Sequence, residues 1–155
     1  MSDQKVDAHL YHGTSDLVEE MVLRNGLCAT ELCSRNFAKC QRGIYATTEI
    51  FSAWVFAGIA THRRVQDMGI TDPFQFADEL YSHKDDIYRF KQSDLPQECR
   101  EERDPAWHDA VRFKDCDCIP PKTLEVCAIP KQAPTFTTGD DLVRFCETRW
   151  RKVKP

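Results

Sequence analysis

The chain lacks any apolar run approaching the ~20 residues that a membrane helix requires, so no membrane attachment is expected. It lacks the apolar stretch of a secretory signal as well, since Met1-Ser2-Asp3-Gln4-Lys5 is polar. A soluble, cytoplasmic protein is the expectation, with an effector exported without a cleavable signal as the alternative. There is no excess of basic residues. The formal net charge is −4, whereas a general grip on nucleic acid needs a basic face to neutralise phosphates. Local cations remain, and Arg42, Arg63 and Arg64 are candidates for the rim of a pocket. No Cys-x-x-Cys occurs and no His-x3-5-His follows at zinc-finger distance, so no metal site is expected. Internal repeats and low-complexity tracts are missing too.

What is present suits one domain spanning residues 1–155, long enough to bury a core without covalent staples. Its eight cysteines stand at 28, 33, 40, 99, 116, 118, 127 and 146. Without a signal segment they read as free or buried thiols, and disulfides would follow only from export.

The periodicity predicts a mixed α+β domain. His9 to His12 reads as a first strand ending in Gly13-Thr14. Ser15 or Asp16 then caps a helix with Glu19 as capping-box partner, and Gly26 stops it. Residues 28–42 have no clear period and read as a loop over a pocket mouth. Ile44 to Thr47 is a second strand. Thr48 is expected to cap a helix from about Glu49 to Thr61, with Ile50, Ala53, Trp54 and Ala57 on its apolar face. Phe74 to Tyr81 suits a short helix and Asp86 to Phe90 a strand. The charge run Glu98 to Asp104 reads as a solvated loop. Strands follow at Ala110–Phe113 and Thr123–Ile129 around a turn at Ile119-Pro120-Pro121, and a closing helix is predicted over Leu142 to Lys152.

Two short segments stand out. In Leu10-Tyr11-His12-Gly13-Thr14 and in Gly43-Ile44-Tyr45-Ala46-Thr47, a polar ring sits beside a glycine at a strand end. Glycine permits close approach to the backbone, and the ring beside it can hydrogen-bond or stack on a ligand. Such a pair can build one nucleotide pocket.

These segments resemble the catalytic domain of the ADP-ribosyltransferase superfamily, in the His-Tyr-Glu branch of diphtheria toxin and the poly(ADP-ribose) polymerases. His12-Gly13-Thr14 matches the family's His-Gly-Ser/Thr, and the sixteen residues from His12 to Leu27 end in the expected Gly-Leu. Gly43-Ile44-Tyr45 matches Gly-Ile-Tyr, with Phe56 eleven residues past Tyr45. Trp107 to Val126 matches the strand, turn and strand that carry the acidic residue, which falls on Asp109 in place of the glutamate. Glu101, Glu102 and Glu125 lie outside that register, and His108 is an alternative polar residue beside it.

The resemblance implies an ADP-ribosyltransferase-like split antiparallel β-sheet core with flanking helices, and NAD as co-substrate. His12 would bond the ribose on the adenosine side, and the Gly13 backbone the carboxamide. Thr14 completes the motif. Tyr45 and Phe56 would flank the nicotinamide, Ser52 would add a bond to its carboxamide, and Asp109 would bind the nicotinamide ribose and stabilise its cation. Aspartate reaches about 1.5 Å less than glutamate, and misplacing a catalytic group by about 1 Å can cost ~100-fold in rate. In the resembling polymerases the glutamate also supports chain elongation, so the implied activity is transfer of single ADP-ribose units to a protein or nucleic-acid acceptor, releasing nicotinamide. The alternatives are a silent NAD or ADP-ribose-binding module, an RNA 2′-phosphotransferase, and a cysteine-rich metal module. Acceptor and oligomeric state are not readable.

Overall fold

Strand β1 (His9–Ser15) is flanked by glycine-dependent and helix-dependent contacts that organise everything around it. In the computed structural model, residues 8–29, 43–97, 99–103, 109–114, 116–133 and 135–154 are described. Arg42, His108, Trp107 and most of the predicted 28–42 loop fall outside them.

Ser15 ends β1 and caps a 3-10 turn, Asp16–Val18, by accepting from the Leu17 N–H at 3.2 Å. The expected helix begins only after that turn, as α1 (Glu19–Asn25), and the predicted capping box to Glu19 does not form. Gly26 closes it at φ +81°, donating its N–H to the Val22 carbonyl. The chain continues through β2 (Leu27–Cys28), β3 (Ile44–Thr47), α2 (Ile50–Gln66), α3 (Pro73–Ser82) and β4 (Lys84–Lys91). Then come β5 (Arg100–Arg103), β6 (Ala110–Lys114), β7 (Cys118–Ile119), β8 (Glu125–Pro130), α4 (Gly139–Cys146) and β9 (Arg151–Lys152).

Among the described residues, seven strands form one sheet in the order β5-β6-β3-β1-β4-β8-β9, and every neighbouring pair is antiparallel. Strands β2 and β7 make a separate antiparallel pair. The protein is thus a mixed α+β domain on an antiparallel sheet. Both faces of the sheet are covered, and side-chain alternation divides the core in two. Leu10, Ile44, Ala46, Tyr88, Phe90, Val111 and Phe113 pack with Val18 and Val22 on one face. Ile87, Cys127 and Ile129 pack with Ile50 and Ala53 of α2 and Leu142 and Cys146 of α4 on the other. Strand β4 supplies both cores, which explains its nearly continuous burial.

Four further expectations require correction. The charge run at Glu98–Asp104 is not a loop throughout, because Arg100–Arg103 is the edge strand β5. An edge strand tolerates charge, which also discourages pairing with other chains. The closing helix stops at Cys146 instead of Lys152, since Arg151 and Lys152 are drawn into pairing with Glu125 and Val126. Thr48 does not cap α2. Its N–H and hydroxyl both donate to the Asp109 carbonyl, at 2.9 and 3.3 Å, and Glu49 stands at the cap without a side-chain bond.

The cysteines are the fourth. Cys28 pairs with Cys118 and Cys99 with Cys116 in disulfides. Cys28 and Cys118 are opposite one another in the β2–β7 register, a proximity that chain spacing alone does not reveal. Cys127 and Cys146 are free and buried. No described helix is long and apolar enough to cross a membrane.

Candidate functional site

Strand order brings together what the sequence separates. The His12 segment lies on β1, the Tyr45 segment on β3 and Asp109 immediately before β6, and these strands are consecutive neighbours. The ladder between β1 and β3 has a single register pair, Tyr11 opposite Thr47, whereas β1 and β4 are paired from His9 to Ser15. Where the β1–β3 ladder stops, a side chain takes over. His12 Nδ1 donates to the Tyr45 carbonyl at 2.5 Å.

That bond fixes the chemistry of His12. A carbonyl oxygen only accepts, so Nδ1 carries the proton and Nε2 is left as an acceptor in the neutral ring. Burial lowers the His12 pKa below the ordinary histidine value, against the smaller upward pull of the Tyr45 carbonyl. The ring is therefore neutral at pH 7, with a lone pair suited to a hydroxyl donor.

Gly13 explains why the next residue has no side chain. A Cβ there would lie 1.7 Å from the Ala53 carbonyl oxygen and 2.8 Å from the Ala57 nitrogen. The space that the sequence reading reserved for a ligand is filled by the backbone of α2. Glycine at this position is a packing requirement for helix on strand, whatever its own N–H and C=O bind.

The same turns of α2 hold the acidic residue. Ser52 Oγ donates to Asp109 Oδ2 at 2.6 Å, and Oδ1 of Asp109 is buried with no hydrogen-bond partner among the described residues. Ser52, expected to face a carboxamide, thus orients Asp109. Phe56 follows Ser52 by one helical turn on the same stripe and is half-buried. Tyr45 is half-buried and, by alternation with core-facing Ile44 and Ala46, leaves β3 on the α2 side of the sheet. His12 leaves β1 on the opposite side with Leu10, so the two rings do not share a face. They are joined through the Tyr45 backbone. Thr14 is half-buried opposite Asp86 on β4.

The proposed rim cations stand apart from this cluster. Arg63 and Arg64 occupy the last turn of α2 and are exposed, about 17 Å along the helix from Ser52 at 1.5 Å per residue. Glu125 is engaged by Arg89 at 3.1 Å, and Glu101 and Glu102 lie on the edge strand β5. A cavity of about 540 Å³ lies elsewhere again, on the outer side of α2 between Val55, Ile59, His62, Leu80 and Lys131.

The sequence marks Thr48 only as a helix cap and not as the residue that bonds the Asp109 carbonyl, and it gives no sign of two further groups. Asp86 is fully buried with neither oxygen hydrogen-bonded among the described residues, and its pKa is pushed up to about 7 by burial and by Glu19 and Asp16. Tyr11, Arg89 and Trp150 form a cluster on the α2 side of the sheet. Neither has a local signature, because both depend on cross-strand register. Compared with protein-family models, with characterised proteins and with solved structures, the chain matches none.

Proposed function

We propose that the protein is an NAD-dependent ADP-ribosyltransferase that moves single ADP-ribose units to an acceptor and releases nicotinamide. The observation that carries this reading is that His12, Tyr45 and Asp109 stand on or beside three adjacent strands, with Asp109 held by Ser52 in the first turns of α2 and His12 joined from the other face to the Tyr45 backbone. The fold reading goes with it, as a split antiparallel sheet of the ADP-ribosyltransferase type.

Each residue has a task that its surroundings suit. His12 offers neutral Nε2 to a ribose hydroxyl. Tyr45 and Phe56 supply aromatic faces for the flat nicotinamide. Asp109, with one oxygen held by Ser52 and the other unpartnered, presents a carboxylate to the nicotinamide ribose. Breaking the bond from ribose C1′ to the nicotinamide nitrogen returns the electron pair to the ring, and nicotinamide leaves neutral. Positive charge develops on the sugar, as in glycoside hydrolysis, and a fixed anion beside it lowers the barrier. The acceptor nucleophile then bonds to C1′ and loses its proton.

A second reading has one observation in its favour. Asp109 is one carbon shorter than the expected glutamate and already bonded to Ser52, which suits a module that binds NAD without turnover. Incubation of the protein with NAD labelled in its adenylate half, alongside a lysate, separates the two. Labelling lost in His12→Ala, Tyr45→Ala and Asp109→Ala supports the transferase. Saturable NAD binding with no nicotinamide release from the wild type supports the binding module. The two disulfides among the described residues favour an oxidising destination over the reducing cytosol, which supports the exported alternative.

A further inference from the structure

Tyr11 and Arg89 face each other across the β1–β4 ladder, on the α2 side of the sheet. The Arg89 guanidinium lies 4.2 Å from the centre of the Trp150 ring, and its Nε donates to Glu125 Oε1 at 3.1 Å. The Tyr11 and Trp150 rings are 6.3 Å apart and tilted by 32°. Stacking and the Glu125 bond together hold the guanidinium plane in one orientation. Its two terminal nitrogens have no hydrogen-bond partner among the described residues, and neither has the Tyr11 hydroxyl. The Arg89 side chain is 22 % exposed, so this fork is reachable from solvent.

The site is also placed with respect to Asp109. Ala110, Thr47, Tyr11 and Arg89 form one cross-strand row over β6, β3, β1 and β4. At about 4.8 Å between strands, Arg89 stands about 14 Å from the position next to Asp109. One short strand could engage both.

We propose that Tyr11, Arg89 and Trp150 bind a nucleotide unit of a single-stranded nucleic-acid acceptor, with the base against the rings and the phosphate on the Arg89 fork. The binding site stands on its own observations, while its assignment to the acceptor rests on the transferase reading. A planar fork takes phosphate through two parallel bonds, and any base offers a face for stacking. The net charge of −4 excludes a broad phosphate grip, not a single preorganised contact.

The test is titration of the whole protein with UMP, which shares no base with NAD, followed by calorimetry and by the Trp150 indole N–H resonance. Saturable binding that shifts that resonance is expected, with uridine and inorganic phosphate each at least about tenfold weaker. Arg89→Lys, which keeps the charge but loses the fork, is expected to weaken UMP about tenfold. Tyr11→Phe, which removes only the hydroxyl, is expected to weaken it less. Tyr45→Ala is expected to leave UMP binding unchanged while abolishing NAD binding, so failure of either site is visible separately. Absence of saturable UMP binding, or equal affinity in folded Arg89→Lys, overturns the proposal. So does tighter binding of O-phosphotyrosine than of UMP, which would point to a protein acceptor.

Discussion

Asp109 and Asp86 carry the same side chain, one where β6 begins and one in β4 with β3 and β1 between them, and their surroundings are opposite in kind. Asp109 stands where β6 begins, oriented by the Ser52 hydroxyl and anchored through its own carbonyl by Thr48. Asp86 lies fully buried in β4 opposite Thr14, with Glu19 and Asp16 adding repulsion to the cost of burial. The first is oriented by a donor, which suits the role given to it in the proposed reaction. The second is held in a place that favours its neutral form. A carboxylate becomes a candidate for chemistry through the donor that aims it, and burial alone does not provide one.

The largest effect on stability is expected at Asp86. Its folded pKa of about 7 lies above the ordinary 3.8, so the native state binds the proton more tightly than the unfolded chain does. Stability from this group is full below about pH 4 and is lost as pH rises to about 7. The loss is about 4 kcal/mol across that window at 1.36 kcal/mol per unit. Asp86→Asn is expected to abolish this slope and to be the more stable protein at pH 8 in urea unfolding. Equal pH slopes in the two proteins would erase the contrast with Asp109.

Gly13→Ala attacks the other side of the comparison. The added methyl meets the α2 backbone, so helix and strand must separate, at about 3 kcal/mol or more. A fall in Tm of about 10 °C is expected for a chain of this size. Because α2 carries Ser52, NAD turnover is expected to fall as well, even at temperatures where the variant is folded.

Ser52→Ala is the mildest change. Loss of its bond to Asp109 is expected to reduce stability by about 1 kcal/mol. Nicotinamide release is expected to drop about tenfold, as Asp109 loses its orientation. A variant with unchanged turnover would mean that Ser52 does not aim the carboxylate.

Local signals in the sequence carried most of the elements, and long-range pairing decided the rest. Gly26, the apolar stripe of α2 and the alternation at Ala110–Phe113 announce themselves within a few residues. The short strand β9 does not, because Arg151 and Lys152 extend only by pairing with β8. Among the candidate site residues, His12, Tyr45 and Asp109 are legible only as motif positions. The bond from His12 to the Tyr45 backbone and the tether from Ser52 to Asp109 were not, since each crosses more than thirty residues of chain. Gly13 was legible as a glycine that matters, but its reason is the closeness of α2.

The most direct test is nicotinamide release from NAD by three proteins side by side: wild type, Asp109→Asn and Asp86→Asn. At pH 6, where all three are expected to be folded, Asp109→Asn should be at least about 100-fold slower than wild type. Asp86→Asn should match wild type. Release by Asp109→Asn at the wild-type rate would contradict the assignment of the reacting site to the rim where α2 meets β6.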